Sequence, residues 1–242
     1  MRRRAVPDWL TRWEYAHRGL HGNGVPENSL MGARLAIDAG FGIECDIQRS
    51  ADGTAMVFHD WTLDRLTEAV GQTEARTKDE LEAISYRESD EHIATLADLL
   101  ALVAGRAPLL IEIKSKTGYD IEKSCEVVAA ALASYSGEHA IMSFDPRVAR
   151  WFRKHSPQTC VGLVMREDEH GYTQNAWQRR MAYWIALPDF LAYHIEALPS
   201  HWVARLRRKG LPVLTWTVNS PETRRRALGR ADALISEGAG LA

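Results

Sequence analysis

Residues 43–60 read "IECDIQRSADGTAMVFHD". Ile43, Cys45 and Ile47 alternate with Glu44 and Asp46, a period of two that predicts a strand. Asp52-Gly53 is a strong hairpin-turn signal, so "AMVFH" (55–59) is expected to run back antiparallel to "IECDI". That assignment decides the fold. Short apolar runs alternate with helix-like stretches along the chain, which yields nine candidate strands. Setting "AMVFH" aside as an arm leaves eight, each separated by room for a crossover helix. The expectation is an α/β fold, a TIM (β/α)8 barrel with a short antiparallel hairpin arm and a small insertion after the second strand. No GxGxxG follows the first strand, which argues against a doubly wound open sheet.

Counted as a two-residue loop, Asp52-Gly53 places Asp46 directly opposite His59, with Glu44 on the same face. "PLLIEIK" (108–114) repeats the pattern, with Ile111 and Ile113 alternating with Glu112 and Lys114. Barrel strands are normally apolar on both faces. Charges near their carboxyl ends are costly unless paired or bound to a metal, and that rim is where a barrel's chemistry sits. His17 and Arg18 occupy the matching end of the first strand, "EYAHR" (14–18). Three carboxylates on two neighbouring strands make an oxygen-only donor set. It suits a hard divalent cation, Mg2+ or Ca2+, better than zinc.

Composition sets the outer limits. The 242 residues are 45% hydrophobic and 26% charged, ordinary globular usage, and the net charge of −2 offers no global field for nucleic acid. Three scattered cysteines, Cys45, Cys125 and Cys160, suggest neither a disulfide framework nor a zinc site. Basic residues open the chain with no apolar run behind them, so no secretory leader is expected. No stretch approaches ~18 uninterrupted apolar residues, so no stable membrane insertion is expected either. The expectation is a cytoplasmic protein whose oligomeric state is open. Residues 1–242 read as a single domain, with 60–107 a short insertion within it.

The helix "NSLMGARLAIDAG" (28–40) has Asn28 or Ser29 as its cap and Gly40 as its stop. "RRK" (207–209) and "RRR" (224–226) read as solvated helix faces. Segment 165–189 carries Tyr172, Trp177, Tyr183 and Trp184, read as packing residues, with a membrane-surface helix the minor alternative.

Taken together, "AHRG" (16–19), "PENS" (26–29), "ECD" (44–46), "FHD" (58–60), "LDRLT" (63–67), "IEIK" (111–114), "SFDP" (143–146) and "WTVN" (216–219) resemble the glycerophosphodiester phosphodiesterase family. The resemblance runs from about residue 15 to 237. It implies a TIM barrel with Glu44, Asp46 and Glu112 as ligands of a divalent metal, and His17 and His59 as general acid and base. It implies Arg18 and Lys114 on the phosphate, Trp216 against the glycerol, and Glu27 and Asn28 lining or bracing the site. "ECD" departs from the family in Cys45, where an aliphatic residue is commoner. "LISEG" (234–238) departs in Glu237, where Asp is common, which bears on the last rim loop.

The implied reaction is metal-dependent hydrolysis of a small-molecule glycerophosphodiester to glycerol 3-phosphate and an alcohol. The alternative at the same site is phospholipase-D-type hydrolysis of lysophospholipids or sugar phosphodiesters. A non-catalytic phosphoester-binding barrel predicts loss of one of the five histidine and carboxylate positions, and all five are present. A barrel aldolase finds no support beyond Lys114.

Overall fold

The computed structural model describes residues 5–169 and 171–241, so Arg2, Arg3 and Arg4 of the basic start lie outside the described residues. The elements run β1 (Tyr15–Ala16), α1 (Leu30–Asp38), β2 (Gly42–Arg49), β3 (Ala55–Val57), α2 (Lys78–Glu82), α3 (Leu96–Val103), β4 (Leu109–Ile113), α4 (Ile121–Leu132) and β5 (His139–Ser143). They continue α5 (Pro146–His155), β6 (Cys160–Met165), α6 (Ala176–Ala186), β7 (Phe190–His194), α7 (His201–Arg208), β8 (Val213–Val218), α8 (Pro221–Ala227) and β9 (Ala233–Ser236). The architecture is the expected TIM (β/α)8 barrel, with β3 as the antiparallel arm.

The chain divides into two compact units, Arg18–Glu138 and Met1–His17 with His139–Ala242. In the first, β2 pairs parallel with β4 and antiparallel with β3. The β2–β4 register sets Asp46 beside Glu112 and Glu44 beside Leu110. Both faces of β2 are buried, so its apolar positions, Ile43, Cys45 and Ile47, pack on one side and its acids must be satisfied on the other. Helix α1 starts where the Ser29 hydroxyl accepts from Gly32 N, and the chain leaves it at Gly40 with φ +79°. The segment after β3 folds over a satellite core of Met56, Phe58, Leu63, Leu81, Tyr86 and Ile93. Its short helix α2 is held by a capping box between Thr77 and Glu80.

In the second unit the parallel order is β1-β9-β8-β7-β6-β5. Tyr15 pairs with Ile235 and Ala16 with Ser236. Helix α5 begins at the Asp145 cap with Pro146 as its first residue and ends in Arg153, Lys154 and His155, where cations complement the helix dipole.

The hairpin differs from expectation by one residue. Ile47 pairs with Val57 and Gln48 with Met56, so Asp46 falls opposite Phe58, whose N–H donates to Asp46 O at 3.0 Å, and not opposite His59. The loop contains three residues, Ala51 to Gly53, closed by Ser50 N donating to Thr54 O. Gly53 has φ +85°, the left-handed residue that follows a tight turn in three-residue hairpins. The Ser50 hydroxyl, bonded to Asp52 and to Thr54, favours this longer closure.

Candidate active site

Glu44, Asp46 and Glu112 are buried, and each offers an oxygen within 4.8 Å of the others'. Parity and register build this cluster: Glu44 and Asp46 share one face of β2, and Glu112 is Asp46's neighbour on β4. Around them stand two cations. Arg18 Nε lies 3.2 Å from Asp46 Oδ2, and its backbone N–H donates to Glu44 Oε2 at 3.0 Å. Lys114 Nζ lies 3.3 Å from Asp46 Oδ1 and 3.2 Å from Glu112 Oε1.

The electrostatics are uneven. Burial, and then the charges of Asp46 and Glu112, push the Glu44 carboxyl well above the ordinary carboxylate range. Asp46 is equally buried, but Lys114, His59, Arg18 and the Asn28 amide outweigh burial and hold it well below that range. Against the burial that would neutralise it, Glu112 and Asp46 keep the Lys114 ammonium above its ordinary value. Three ionised carboxylates would exceed the charge of the two cations, and one of them, Glu44, is disfavoured as an anion here by burial and by the other two. Glu112 Oε1 is buried without a hydrogen bond from the described residues, the Lys114 ammonium standing outside hydrogen-bond geometry. A hard divalent cation fits this donor set.

"PENS" braces the cluster. Asn28 Nδ2 donates to Asp46 Oδ2 at 3.0 Å, and Asp46 N donates to Asn28 Oδ1 at 3.1 Å. Glu27 accepts from Arg18 Nη1 at 2.8 Å and from Arg65 Nη2 at 2.7 Å. Burial would raise the Glu27 carboxyl, but Arg65 and Arg18 keep it below its ordinary value. Arg18 and Asn28 both adopt left-handed backbone, φ 55° and 58°, and Asn28 N donates to Arg18 O. Such strain persists where the surroundings over-determine it. Gly19 is required by space as well as by its φ of +79°: a Cβ there would lie 2.9 Å from the backbone carbon of Gly32.

Each expected acid–base histidine leans on a carboxylate. His59 Nδ1 lies 2.6 Å from Asp60 Oδ1. Arg65 holds Asp60 through Nε at 2.5 Å and Nη2 at 3.0 Å. Burial opposes ionisation of Asp60, but the bonds from His59 and Arg65 hold its carboxyl well below the ordinary range. An ionised carboxylate accepts only, so Nδ1 of His59 carries the proton it donates, and a neutral ring leaves Nε2 as acceptor. In the other unit His17 Nδ1 lies 2.6 Å from Glu237 Oε2. The Ala16–Ser236 pairing puts the next residues, 17 and 237, side by side, and His17 N donates to Ser236 O.

Trp216 is partly buried at the end of β8. Its indole N–H donates to Ala192 O at 3.0 Å, and Phe144 meets it edge-on with centroids 5.5 Å apart. His194, 4.8 Å away, and the Arg166 guanidinium, 5.7 Å from the ring, complete its surroundings. Burial and Arg166 lower the His194 pKa.

Asp60, Arg65 and Glu237 have no role that sequence alone assigns. "FHD" and "LDRLT" contained the first two, and an acid directly after a rim histidine was the available signal. Glu237 stood out only as a departure. The reading of segment 165–189 as packing is corrected for three of its four aromatics. Tyr172, Trp177 and Trp184 are exposed, while Tyr183 packs edge-on against Trp202.

Residues 17–237 match the model of the Glycerophosphoryl diester phosphodiesterase family. A Glycerophosphodiester phosphodiesterase of Caldanaerobacter subterraneus subsp. tengcongensis is 28% identical over 233 residues, covering 92% of each chain. Among solved structures, a phosphodiesterase of Oleispira antarctica, determined with the product sn-glycerol-3-phosphate, superposes with a TM-score of 0.81 at 23% identity, covering 93% of this chain and 92% of that one. The glycerophosphodiester phosphodiesterase of Thermotoga maritima gives a TM-score of 0.74 at 25% identity, covering 92% of each chain. The chain belongs to the glycerophosphoryl diester phosphodiesterase family, and with it to the phosphoric diester hydrolases.

Proposed function

We propose that this protein hydrolyses glycerophosphodiesters to glycerol 3-phosphate and an alcohol, with Glu44, Asp46 and Glu112 holding Mg2+ or Ca2+. The observation that carries this reading is the buried three-carboxylate cluster with Arg18 and Lys114 directly on it. A phosphodiester is an anion, and attack on phosphorus builds further charge on its oxygens. The bound cation would supply Lewis-acid stabilisation of that charge. Arg18 and Lys114 each keep donors beyond those engaged by carboxylates and would bind the phosphoryl oxygens. Trp216 would present its ring face to the glycerol carbons.

When water attacks, its new P–O bond forms as the P–O bond to the alcohol breaks. When the glycerol 2-hydroxyl attacks, the alcohol leaves a cyclic glycerol phosphate, and water then attacks phosphorus and breaks the P–O2 bond to give glycerol 3-phosphate. The attacking hydroxyl loses its proton to one imidazole Nε2, and the departing alkoxide takes a proton from the other. Each transfer is worth roughly 10²–10⁴-fold. Asp60 and Glu237 fix the ring orientations that aim the two Nε2 atoms. They act as positioning residues.

The test is glycerol 3-phosphate release from glycerophosphocholine and glycerophosphoethanolamine with Mg2+ or Ca2+, with EDTA, and with His17→Ala. Turnover abolished by both EDTA and the substitution is the expected result. Turnover indifferent to EDTA sinks the metal role. Absence of turnover on both diesters, with cation bound, moves the substrate to lysophospholipids or sugar phosphodiesters.

A further inference from the structure

Helix α6 is inside out. Its buried residues are two alanines, Ala182 and Ala186, while its large apolar side chains face solvent. Trp177 is 62% exposed, Met181 50%, Trp184 79% and Ile185 37%. Their spacing of four, three and one residues puts them on one stripe of the helix. Tyr172 before the helix and Leu187 after it are exposed as well. The helix is nonetheless firmly seated. Arg179 is tied to Glu167, Thr173 O and Gln174 O, Tyr183 packs on Trp202, and the Leu187 carbonyl accepts from Arg153.

The formal charges on α6 and on its neighbours α5 and α7 have one sign. Helices α5, α6 and α7 contain no acidic residue. Arg150, Lys154, Arg180, Arg205 and Arg208 are exposed on them and make no ion pair with a described residue. Of the nearby acids, Glu167, Asp168 and Asp189 are engaged by Arg179, Arg166 and Arg153, and Glu169 is exposed in the loop before α6. A chain with net charge −2 thus has three consecutive helices without an acid, and the middle one carries the exposed aromatic stripe.

We infer that this face docks the protein on an anionic phospholipid surface, with α6 lying in the interfacial plane. Tryptophan and arginine are the side chains that settle at the headgroup level, apolar body inward and polar tip in water. Exposed lysine and arginine near such a surface add electrostatic attraction to anionic lipid. The helix has 11 residues, too short to span a bilayer, and no helix among the described residues is long and apolar enough to do so. The mode is peripheral. A second copy of this chain is the poorer occupant, because a two-fold contact would press one cationic face against another. The inference stands independently of the reaction proposed above.

Co-sedimentation of the full chain with vesicles tests it, using phosphatidylcholine alone and phosphatidylcholine mixed equally with phosphatidylglycerol. Binding to the anionic vesicles, weaker at high salt and absent on phosphatidylcholine, is expected. Both Trp177→Ser/Trp184→Ser and Arg150→Glu/Arg180→Glu should weaken it by about tenfold or more. Hydrolysis of soluble diester and the thermal melt should stay unchanged. Brominated phosphatidylglycerol should quench the wild-type tryptophan emission and quench the tryptophan variant less. Failure to bind anionic vesicles, or equal binding by wild type and both variants, would overturn the inference. So would a wild-type dimer in sedimentation that the tryptophan variant converts to monomer.

Discussion

The two expected catalytic histidines sit in similar local geometry built by opposite means. His59 and Asp60 are sequence neighbours, and Arg65, five residues on, grips Asp60 while also holding Glu27. His17 and Glu237 are separated by 220 positions and meet because β1 and β9 pair in parallel. Both end at a 2.6 Å contact between Nδ1 and a carboxylate. The His59 pair belongs to a short-range ionic lattice of Asp60, Arg65 and Glu27. The His17 pair depends on strand register, with Glu237 partly exposed. One histidine is therefore held by charge, the other by topology.

Removing the rings themselves should have the largest effect and erase the distinction. His17→Ala and His59→Ala should each lower kcat/KM by about 10²–10⁴-fold. Steady-state assay of the diester, with cation binding measured separately by calorimetry, checks that the loss is chemical.

Removing the carboxylates sharpens the comparison. Asp60→Ala and Glu237→Ala should each reduce kcat/KM by roughly 10–100-fold, the usual cost of losing an outer partner of a working imidazole. They should differ in stability. Asp60→Ala leaves Arg65 short of a partner and should lower the urea midpoint, whereas Glu237→Ala should leave it nearly unchanged. Equal stability losses would mean that the ionic lattice is not what holds His59.

A smaller effect is expected from Arg65→Ala, which leaves the Asp60 carboxylate in place but loosens it. Activity should fall by less than Asp60→Ala, and stability by about 1 kcal/mol, because Arg65 is half exposed and solvent screens the pair. A double-mutant cycle of Asp60→Ala with Arg65→Ala should show non-additive activity losses. The same change made against Glu237→Ala should be additive.

The pH dependence of stability gives the finest test. Asp60 has a folded pKa below its unfolded value, so its contribution is full above the unfolded pKa of about 3.9 and is lost as pH falls from there toward the folded value. Urea midpoints measured from neutral pH down to acid should fall less steeply below about pH 4 in Asp60→Asn than in wild type. Parallel curves would show that the carboxyl is not held ionised by His59 and Arg65.

Much of this molecule is legible from its sequence. Alternation in "IECDI" and "LLIEI" is a local property of the strand, and it already places Glu44, Asp46, Glu112 and Lys114 on one face. The Asp-Gly turn marks β3 as an arm and so leaves eight parallel strands. Ser29 caps α1 by chemistry that reaches only three residues. What sequence reading mistook was decided at longer range or by small differences in energy. The hairpin closes on three residues because Ser50 can satisfy Thr54 N and Asp52 together, which shifts the register by one and moves His59 off Asp46's partner position. The aromatics of segment 165–189 read as packing residues, because spacing alone does not say which of them the fold buries. Helix α6 buries Ala182 and Ala186 and turns Trp177 and Trp184 outward. Sequence by itself determined the strands, the arm and the acids on their shared face, because alternation and turn chemistry act between near neighbours. Tertiary structure alone decided that Glu237 meets His17 and that Arg65 joins Glu27 to Asp60. Glu237 meets His17 across 220 positions and Arg65 meets Glu27 across 38, and only strand register and loop packing set those distances.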